Sequence, residues 1–404
     1  MHTAERVRRI KPSPSTAAAQ RVRELKSRGL TILDLTVGEP DFDTPDHVKA
    51  AAIRAIEAGE TKYTPVNGTS ALRAAITGKL RERHGLDFSD AQITVGGGAK
   101  QVIFLALMAT LDEGDEVIVP APYWVSYPDM VRANDGTPVI VDCPEADGFK
   151  LTPQRLGAAI TARTRWVVLN TPGNPTGSAY TAGELHELAQ VLLDHPHVRV
   201  LTDEIYDEIW YREEAAASLA AVEPRLADRM FLTNGVSKTY AMTGWRIGYG
   251  VGPADLVTAI NTLQSQTSSC PSSVSQAAAA AALTGPQDFV RDTVHVYRER
   301  RDATAKLVND VPRLSCTVPD GGFYLLVNCH DAIGQFTPSG SRIQNDEDFA
   351  RYLLDSRQVA VIHGAAYGAP GYFRISFATS TDVLTEACAR LATACAGLSS
   401  APSA

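Results

Sequence analysis

The sequence predicts an α/β protein with a mostly parallel central sheet flanked by helices, joined to a smaller α+β domain. Three observations support this fold class. Short apolar runs alternate with helical stretches between residues 92 and 232, which is typical of a mostly parallel sheet covered by helices on both faces. A polar stretch and the pair Gly285-Pro286 then break the alternation. Beyond that break, a long charged helix and two isolated apolar strands indicate a second domain.

The region before residue 92 is predicted to contain three helices and one short strand. In chain order these elements are a helix over residues 16–29, the strand Ile32–Leu35, a helix from Asp46 to Ala58 and a helix from Ser70 to Leu80. Pro45 favours the start of a helix because its fixed φ suits the first helical turn. Ser70 is expected to cap the helix that it begins.

Six apolar runs are expected to form the large sheet. They are Gln92–Val95, Glu116–Val119, Val139–Val141, Trp166–Leu169, Val198–Leu201 and Met230–Leu232. Ligands of such sheets bind beyond the carboxyl ends of the strands. The residues that follow these runs are therefore the candidate site residues.

The pattern changes after Gly250. The later predicted elements are a polar connector over Gln264–Ser273, an alanine-rich helix, a charged helix to about Val308, the strand Phe323–Val327, a helix from about Asp346 to Ser356 and the strand Phe373–Phe377. We therefore predict a large domain of residues 46–284 and a small domain of residues 1–45 and 285–404. The tail, residues 401–404, is expected to be disordered.

Composition argues against several classes of function. The formal net charge of −8 provides no basic face for nucleic acid. The sequence has neither a signal peptide nor an apolar run of membrane-spanning length. The six cysteines show no CxxC pair and no metal-ligand spacing, so reduced thiols and no metal site are expected. A cytoplasmic enzyme or binding protein remains.

Some strand ends carry groups that suit a phosphate and a flat ring. The segment Gly96-Gly97-Gly98-Ala99-Lys100 allows close backbone approach and offers helix N–H groups to a phosphate, although a structural turn fits as well. Arg246 can donate to a phosphate with two N–H groups. Trp124 can stack on a planar ring, with core packing as the alternative.

Other strand ends carry groups that suit covalent and proton chemistry. Asn170 to Gly177 form a rigid turn that holds an asparagine amide in place. Asp203 is either an exposed helix cap or a buried carboxylate with a cationic partner. Lys238 is either a solvated loop lysine or, if desolvated, an amine nucleophile. With the phenol of Tyr206, the whole set fits a phosphorylated aromatic aldehyde held as a Schiff base.

In chain order, these residues resemble the class I aminotransferases, which are pyridoxal-phosphate enzymes of fold type I. The resemblance covers about residues 11–395 and looks most similar to the bacterial aspartate aminotransferases. The motifs that carry it are Gly38-Glu39-Pro40-Asp41-Phe42, Tyr63, Gly96–Lys100, Tyr123-Trp124, Asn174-Pro175-Thr176-Gly177, Asp203-Glu204-Ile205-Tyr206, Ser237-Lys238 with Arg246, and Arg374.

The resemblance implies roles around the cofactor ring. Lys238 would form the Schiff base, and Asp203 would keep the pyridine nitrogen protonated. Asn174 and Tyr206 would hydrogen-bond the ring oxygen, and Trp124 would stack on the ring. Lys238, Asp203 and Tyr206 are accordingly the expected catalytic residues.

The resemblance also implies roles at the phosphate and at the substrate. The expected phosphate ligands are Gly98, Ala99, Lys100, Ser237 and Arg246. Tyr63 would reach the phosphate of a neighbouring subunit, which implies a homodimer. Arg374 would bind the substrate α-carboxylate with help from Gly38, and a structural ion pair is the alternative. Trp124, Asn174 and Lys100 would also face the substrate.

The sequence departs from the family pattern in three places. Gly235 stands where many members have a phosphate-binding serine, so Ser237 would serve alone. Animal-type members bind the distal carboxylate with an arginine from a stretch that here contains no Lys or Arg. The bacterial branch of the family uses a lysine at the position that Lys100 matches, so the resemblance implies Lys100 as the candidate for that carboxylate, with a solvated helix-start lysine as the alternative. His363 stands where relatives usually have proline, and the sequence assigns it no role.

The predicted reaction moves an amino group between an amino acid, with L-aspartate the best candidate, and a 2-oxo acid such as 2-oxoglutarate. Alternatives on the same fold are an aminotransferase for aromatic, prephenate-type or specialised amino acids, and a lyase or synthase. A non-catalytic cofactor-binding regulator domain is disfavoured, because such proteins usually carry a DNA-binding helix-turn-helix ahead of the matching region.

Overall fold

The computed structural model describes residues 3–12 and 14–401 of the chain. Residues 402–404 of the tail predicted to be disordered lie outside the described residues. The strands, in chain order, are β1 (Leu33–Asp34), β2 (Ile93–Gly96), β3 (Glu116–Ala121), β4 (Thr137–Asp142), β5 (Thr164–Asn170), β6 (Arg199–Asp203), β7 (Met230–Gly235), β8 (Gly248–Val251), β9 (Ser315–Cys316), β10 (Tyr324–Asn328), β11 (Val359–Ala360), β12 (Ile362–His363) and β13 (Tyr372–Ser376).

The α-helices are numbered separately from the strands. In chain order they are α1 (Glu5–Arg8), α2 (Pro14–Ser27), α3 (Asp46–Glu57), α4 (Ser70–His84), α5 (Ala99–Met108), α6 (Tyr127–Ala133), α7 (Pro153–Ala159), α8 (Ala182–Leu193), α9 (Leu219–Val222), α10 (Ala254–Thr267), α11 (Ser273–Thr284), α12 (Asp288–Asn309), α13 (Asp346–Arg357) and α14 (Thr381–Ala396).

A seven-stranded sheet forms the larger unit, in the order β2-β8-β7-β6-β5-β3-β4. The strands from β7 to β4 pair in parallel, and β8 runs antiparallel to both of its neighbours, β2 and β7. All six strands predicted for this sheet are present. The predicted α/β class with a mostly parallel sheet is confirmed.

Strand β8 was not predicted, because half of its four residues are glycine and glycine weakens a strand. Its glycines are nevertheless required by close packing. A Cβ at Gly250 would collide with the ring of Phe231 on the neighbouring strand β7. A Cβ at Gly248 would collide with the backbone of Ala99 at the start of α5. The small residues of β8 therefore let the end of the sheet and α5 approach each other.

Successive residues of β5 belong to cores on opposite faces of the sheet. Val167 and Leu169 pack in the core that includes α4, α8 and α11. Trp166 and Val168 pack in the core that includes α5 and α10. This alternation is the side-chain period of a strand, and burial of both faces explains why the strands appear in the sequence as continuous apolar runs.

The smaller unit is built on a four-stranded antiparallel sheet, β12-β13-β10-β9. Helix α12 takes part in both cores, with Val290 in the core of the larger unit and Tyr297, Ala305 and Val308 in the core of the smaller one. We propose that the domain boundary lies just before this helix, between residues 284 and 285.

The N-terminal segment runs alongside the smaller unit before it enters the larger one. Strand β1 pairs in parallel with β11. The Leu35 N–H donates to the Ala360 carbonyl, and the Ser376 N–H donates to the Leu35 carbonyl. These bonds fix the backbone that leads into Thr36 and Gly38, both of which reach the candidate site.

Two local predictions were wrong. The residue that caps α4 is Thr69 rather than Ser70, since the Thr69 hydroxyl accepts from the Leu72 N–H at 3.3 Å. The first residues of the predicted polar connector are helical, because α10 continues to Thr267. Gln264 is 1% exposed and donates to the carbonyls of Val66 and Val95 at 2.7 and 2.8 Å. A buried glutamine whose amide nitrogen donates two hydrogen bonds resembles a loop residue in the sequence.

Within residues 3–12 and 14–401, none of the helices combines the length and the apolar character needed to cross a membrane. Over the same part of the chain, no three His, Cys, Asp or Glu side chains converge to hold a metal ion. All six cysteines are described, and each is a free thiol.

Candidate active site

A cavity of about 360 Å³ lies at the carboxyl ends of the parallel strands, within the size range of ligand pockets. All of the predicted site residues except Gly98 and Tyr63 line it: Gly38, Ala99, Lys100, Trp124, Asn174, Asp203, Tyr206, Ser237, Lys238, Arg246 and Arg374. The large sheet supplies most of these residues. Gly38 and Arg374 come from the N-terminal segment and from the small sheet.

Lys238 lies in the loop that follows β7, with its side chain in the cavity. Its Nζ donates to the carbonyl oxygen of Gly38 at 2.5 Å. Burial lowers the pKa of Lys238 to about 8; the carboxylate of Glu39 opposes this shift, and the nearby charges of Arg374 and Arg246 add to it. About one in ten of these amines is therefore unprotonated at pH 7, compared with fewer than about one in a thousand for a solvated lysine.

Asp203 is the last residue of β6 and is 4% exposed. Its Oδ2 accepts a hydrogen bond of 2.6 Å from the hydroxyl of Tyr127. Burial raises the pKa of Asp203 to about 6, and the donor from Tyr127 opposes that rise. Asp203 is thus the buried carboxylate of the two alternatives rather than an exposed helix cap.

Tyr206 and Asn174 each contact a residue of the small sheet. The hydroxyls of Tyr206 and Tyr324 are 3.0 Å apart. The Asn174 side-chain oxygen accepts from Arg374 at 3.0 Å. Because that oxygen is engaged, the amide nitrogen of Asn174 is directed elsewhere, where it can donate.

Arg374 is 2% exposed on strand β13. It donates to Asn174 and, at 2.7 Å, to the Thr36 carbonyl. Both acceptors are neutral oxygen atoms rather than the carboxylate of a structural ion pair. Its Nε has no hydrogen-bond partner among the described residues. A buried guanidinium with an unused donor is costly, so this site favours an anionic ligand.

The segment between β2 and α5 forms a narrow cradle next to Arg246. Gly98 has φ +101°, and a Cβ there would collide with the Arg246 guanidinium. The Gly98 N–H donates to Gly96 at 2.8 Å. The N–H groups of Ala99 and Lys100, the first two residues of α5, have no acceptor within their own helix. The cradle therefore presents helix N–H groups to an anion.

Arg246 adopts a left-handed backbone conformation with φ 57°, which is uncommon outside glycine. It donates to the carbonyls of Thr243 and Gly97 at 2.8 and 3.0 Å. Ser237, at 7% exposure, also lines the cavity. These residues place a cation and a hydroxyl around the same end of the cavity as the cradle.

Lys100 and Trp124 lie together on the cavity wall. The Lys100 Nζ is 4.7 Å from the centre of the Trp124 ring. Burial lowers the pKa of Lys100, and the charge of Arg246 lowers it further. Trp124 also meets the Tyr127 ring edge-on at 5.2 Å. Lys100 is an exposed residue in the first turn of α5 that also lines the cavity, so its ammonium group can reach a ligand there.

Three further predicted positions lie outside the cavity or lack a side chain. Tyr63 is 91% exposed. A Cβ at Gly235 would come within 3.0 Å of the Ile247 carbonyl oxygen, so a side chain there would require a small shift of the neighbouring backbone. The His363 Nδ1 lies 3.6 Å from the carboxylate of the buried Asp346, which accepts from two backbone N–H groups at 2.7 and 3.2 Å. His363 does not line the cavity.

Sequence reasoning missed Tyr127 and Tyr324. Tyr127 follows Trp124 by one helical turn, and its partner Asp203 is 76 residues away. Tyr324 meets Tyr206 across 118 residues. Neither residue directly follows a strand of the large sheet, so the rule that identified the other site residues does not find them.

Known proteins are similar to this chain in sequence and in fold over nearly its whole length. A family model for aminotransferase class I and II matches residues 31–391. The aspartate/prephenate aminotransferase of Cereibacter sphaeroides is 49% identical over 97% of this chain and 98% of its own length. The aspartate aminotransferase of Rhizobium meliloti is also 49% identical, over 98% of this chain and 97% of its own length.

Two solved structures show the same architecture. The crystal structure of the Rhizobium meliloti aspartate aminotransferase matches with a TM-score of 0.96 at 48% identity, over 99% of this chain and 100% of that one. The Thermus thermophilus aspartate aminotransferase with maleate matches with a TM-score of 0.90 at 38% identity, over 98% of this chain and 100% of that one. The chain belongs to the class I and II aminotransferases, enzymes of fold type I that use pyridoxal 5′-phosphate to move amino groups between amino acids and 2-oxo acids.

Proposed function

We propose that this aminotransferase takes the amino group of L-aspartate and passes it to 2-oxoglutarate by a ping-pong reaction at Lys238. The observation that carries the proposal is that two cations, Arg374 and Lys100, line the same cavity as Lys238. A dicarboxylic amino acid offers one carboxylate to each of them. The names of the relatives from Cereibacter sphaeroides and Rhizobium meliloti support this substrate class.

The residues of the cavity fit pyridoxal phosphate. The cradle at Gly98 has no room for a Cβ, and it lies beside the N–H groups of Ala99 and Lys100. We propose that these N–H groups bind the phosphate with Ser237 and Arg246. The Gly98 N–H already has a partner, so Gly98 does not serve as a donor. It contributes a backbone of positive φ that carries no side chain.

The ring contacts follow from the buried polar groups. We propose that Asp203 pairs with the pyridine nitrogen, because an acidic partner there keeps that nitrogen protonated. Tyr206 and the free amide nitrogen of Asn174 would donate to the ring oxygen, and Trp124 would cover the ring face. When bound, the cofactor withdraws electrons from the substrate Cα through its ring.

Lys238 is the group that moves the proton. Its lowered pKa makes the unprotonated amine, which can bond to the cofactor, available in a fraction that rises towards pH 8. When the amino group of the substrate takes its place on the cofactor, the freed amine of Lys238 can accept the Cα proton. Arg374 would hold the substrate α-carboxylate through its unused Nε–H and thereby orient the Cα–H bond towards Lys238. The buried setting keeps bulk water away from this transfer.

The test is a half-reaction with the purified full-length protein loaded with pyridoxal phosphate. We expect L-aspartate to convert the absorbance of the bound cofactor to that of its aminated form, and 2-oxoglutarate to restore it. Prephenate in place of 2-oxoglutarate tests a second amino acceptor, which the name of the Cereibacter sphaeroides relative suggests. Bleaching by another amino acid but not by aspartate would remove the substrate assignment and leave the family intact.

Lys100 can be tested by its effect on substrate choice. Lys100→Ala should lower kcat/KM for aspartate by about 10-fold or more, because a charge-assisted hydrogen bond is lost, and change that for alanine little. Lys306→Ala is the matched control, since Lys306 is exposed on helix α12 and does not line the cavity. Equal losses for aspartate and alanine would exclude Lys100 from binding the distal carboxylate.

We further propose that the working unit is a homodimer in which Tyr63 reaches the phosphate of the other subunit. Tyr63 is 91% exposed, and Ile53 and Ile56 of the neighbouring helix α3 are each 56% exposed. Such apolar exposure suits a covered surface. Light scattering gives the oligomeric state, and Tyr63→Phe should weaken pyridoxal phosphate binding in the dimer.

Six free thiols support a cytoplasmic location.

A further inference from the structure

We propose that Tyr324 is a positioning residue for both halves of the site: its hydroxyl donates a hydrogen bond to Tyr206, and its ring supports the guanidinium of Arg374. This inference rests on the proposed function, which assigns the ring oxygen of the cofactor to Tyr206 and the substrate carboxylate to Arg374. Tyr324 is 1% exposed and lies on strand β10 of the small sheet.

The pairing of two strands places Tyr324 against Arg374. Strands β10 and β13 are antiparallel, with Tyr324 opposite Ser376 and Leu326 opposite Arg374. Tyr324 and Arg374 are therefore diagonal neighbours on one face of the sheet. The Arg374 Cζ lies 4.2 Å from the centre of the Tyr324 ring. Cation–π attraction is strongest when such a pair is removed from water, as it is here.

The direction of the hydrogen bond follows from counting protons. The hydroxyls of Tyr206 and Tyr324 are 3.0 Å apart, and either of them can be the donor on distance alone. Each phenol has one proton to donate. Once Tyr206 donates its proton to the cofactor, its oxygen can only accept from Tyr324. Tyr324 is therefore the donor in the working enzyme.

The charge of Arg374 favours the same direction. Burial raises the pKa of both phenols, and the charge of Arg374 opposes the rise at both. At Tyr324 this charge is the largest effect after burial, whereas at Tyr206 the proximity of Tyr324 comes before it and adds to the rise. A phenol that gives up its proton more readily is the stronger donor. A hydrogen bond received by Tyr206 in turn polarises its own O–H and strengthens the bond that it donates.

The hydroxyl is tested by Tyr324→Phe, which keeps the ring. The full-length variant is loaded with pyridoxal phosphate, and the absorbance of the bound cofactor is titrated against pH. A hydrogen bond donated to the ionised ring oxygen favours the deprotonated form of the bound cofactor. Weakening that donor should raise the midpoint by up to about one pH unit, in the same direction as Tyr206→Phe but by less.

The sign of the shift decides between the two directions of the bond. If Tyr324 accepted from Tyr206, Tyr324→Phe would release the Tyr206 proton to the cofactor and lower the midpoint. A lowered or unchanged midpoint therefore overturns the proposal. Combining Tyr324→Phe with Tyr206→Phe should give no shift beyond that of Tyr206→Phe alone, and additive shifts would also overturn it.

A matched control removes a buried hydroxyl away from the cavity. The Tyr180 hydroxyl accepts from the Leu151 N–H at 2.9 Å, and Tyr180→Phe should leave the midpoint unchanged. A shift equal to that of Tyr324→Phe would show that the effect is not specific to Tyr206. The titration needs no amino acid, so its result does not depend on whether aspartate is the substrate.

The ring is tested with maleate, an unreactive dicarboxylate, as the probe. Tyr324→Phe should bind maleate as the wild type does, because the ring beneath Arg374 is retained. Tyr324→Leu should bind it about 2- to 30-fold more weakly. Equal affinities in the two variants would overturn the role of the ring. Thermal melting of both loaded variants identifies a general loss of structure in Tyr324→Leu, and Tyr324→Phe still tests the hydroxyl in that case.

Discussion

Tyr127 donates a hydrogen bond of 2.6 Å to the carboxylate of Asp203, and the two residues are only 2% and 4% exposed. Trp124, one turn earlier, meets the Tyr127 ring edge-on. The short segment from Trp124 to Tyr127 therefore supplies both the aromatic side chain at the cavity wall and the hydrogen-bond donor to the buried carboxylate of Asp203. Burial raises the pKa of Asp203 to about 6, and Tyr127 limits that rise.

Tyr127→Phe should weaken pyridoxal phosphate binding at pH 7 by about 10- to 100-fold, because a hydrogen bond to a charged group is lost. Without this donor the pKa of Asp203 rises further, so more of the carboxylate is protonated at pH 7. The loss should shrink as the pH is raised and Asp203 ionises again. The dissociation constant, measured by fluorescence between pH 6 and pH 9, checks this. A loss independent of pH, or the same loss in Tyr180→Phe, would contradict it.

The rate at which the apoprotein captures pyridoxal phosphate should follow the protonation of Lys238. Burial lowers the pKa of Lys238 to about 8, so the rate should rise about tenfold per pH unit below 8 and level off above it. Stopped-flow absorbance at a series of pH values measures this midpoint.

Removing the charge of Glu39 tests more directly whether the protonation of Lys238 controls the capture of the cofactor. Its negative charge opposes the lowering of the Lys238 pKa, and its carboxylate accepts from the Thr243 hydroxyl at 2.7 Å. Glu39→Gln keeps an acceptor for Thr243 and removes the charge. The midpoint of capture should therefore move to lower pH, and a midpoint that stays in place or rises would show that Glu39 does not act on Lys238.

Glu204 should make the protein less stable as the pH rises. It is 1% exposed, and burial, reinforced by the charge of Asp207, raises its pKa to about 8. Because this folded-state pKa lies above the unfolded one, its contribution to the free energy of unfolding is complete below about pH 4 and is lost as the pH rises through 8. The slope between these limits is at most about 1.4 kcal/mol per pH unit.

Glu204→Gln should flatten this dependence, because the amide stays neutral at every pH. The amide oxygen can still accept the hydrogen bond that the Ser218 hydroxyl donates to Glu204 at 2.9 Å in the wild type. Melting temperatures of the loaded protein at pH 6 and pH 8.5 provide the comparison. The decrease should be smaller in Glu204→Gln than in the wild type. Glu113→Gln, at an exposed position, should behave as the wild type does; identical decreases in all three proteins would refute the assignment.

Gly98→Ala should weaken cofactor binding through its effect on Arg246. The new Cβ would collide with the guanidinium, so Arg246 must move away from the cradle. Gly114→Ala is a matched control, because Gly114 also has a positive φ, +91°, but nothing lies within 4 Å of its added Cβ. Both substitutions should cost about 1 kcal/mol of stability. Only Gly98→Ala should raise the dissociation constant for pyridoxal phosphate more than that for pyridoxal.

The sequence was most informative where a site residue directly follows a strand of the large sheet. Asp203 ends β6 and Lys238 follows β7, so locating the strands was enough to place them near one another. The positions of these residues along the chain therefore contained most of the geometry of the cavity. Arg374, which lies inside a strand of the small sheet, was predicted through the resemblance to the aminotransferases and not from the end of a strand.

The sequence was least informative where a contact depends on two distant segments. Nothing local to Tyr127 or Tyr324 indicates that each hydroxyl meets one particular acid or phenol. The buried role of Gln264 was hidden for the same reason, since its two acceptors lie near residues 66 and 95. Strand β8 was missed because its glycines are fixed by the packing of α5 and β7 and not by any preference for a strand.

The hydrogen bond from Lys238 to the Gly38 carbonyl makes the N-terminal segment and the cofactor competitors for one nitrogen atom. A Schiff-base nitrogen carries at most one proton, so the ammonium group that donates to Gly38 is no longer present once the cofactor is bound to it. Thermodynamic linkage then requires reciprocity. Whatever holds the segment more tightly against the lysine weakens cofactor capture by the same factor, and capture of the cofactor removes one of the bonds that hold the segment.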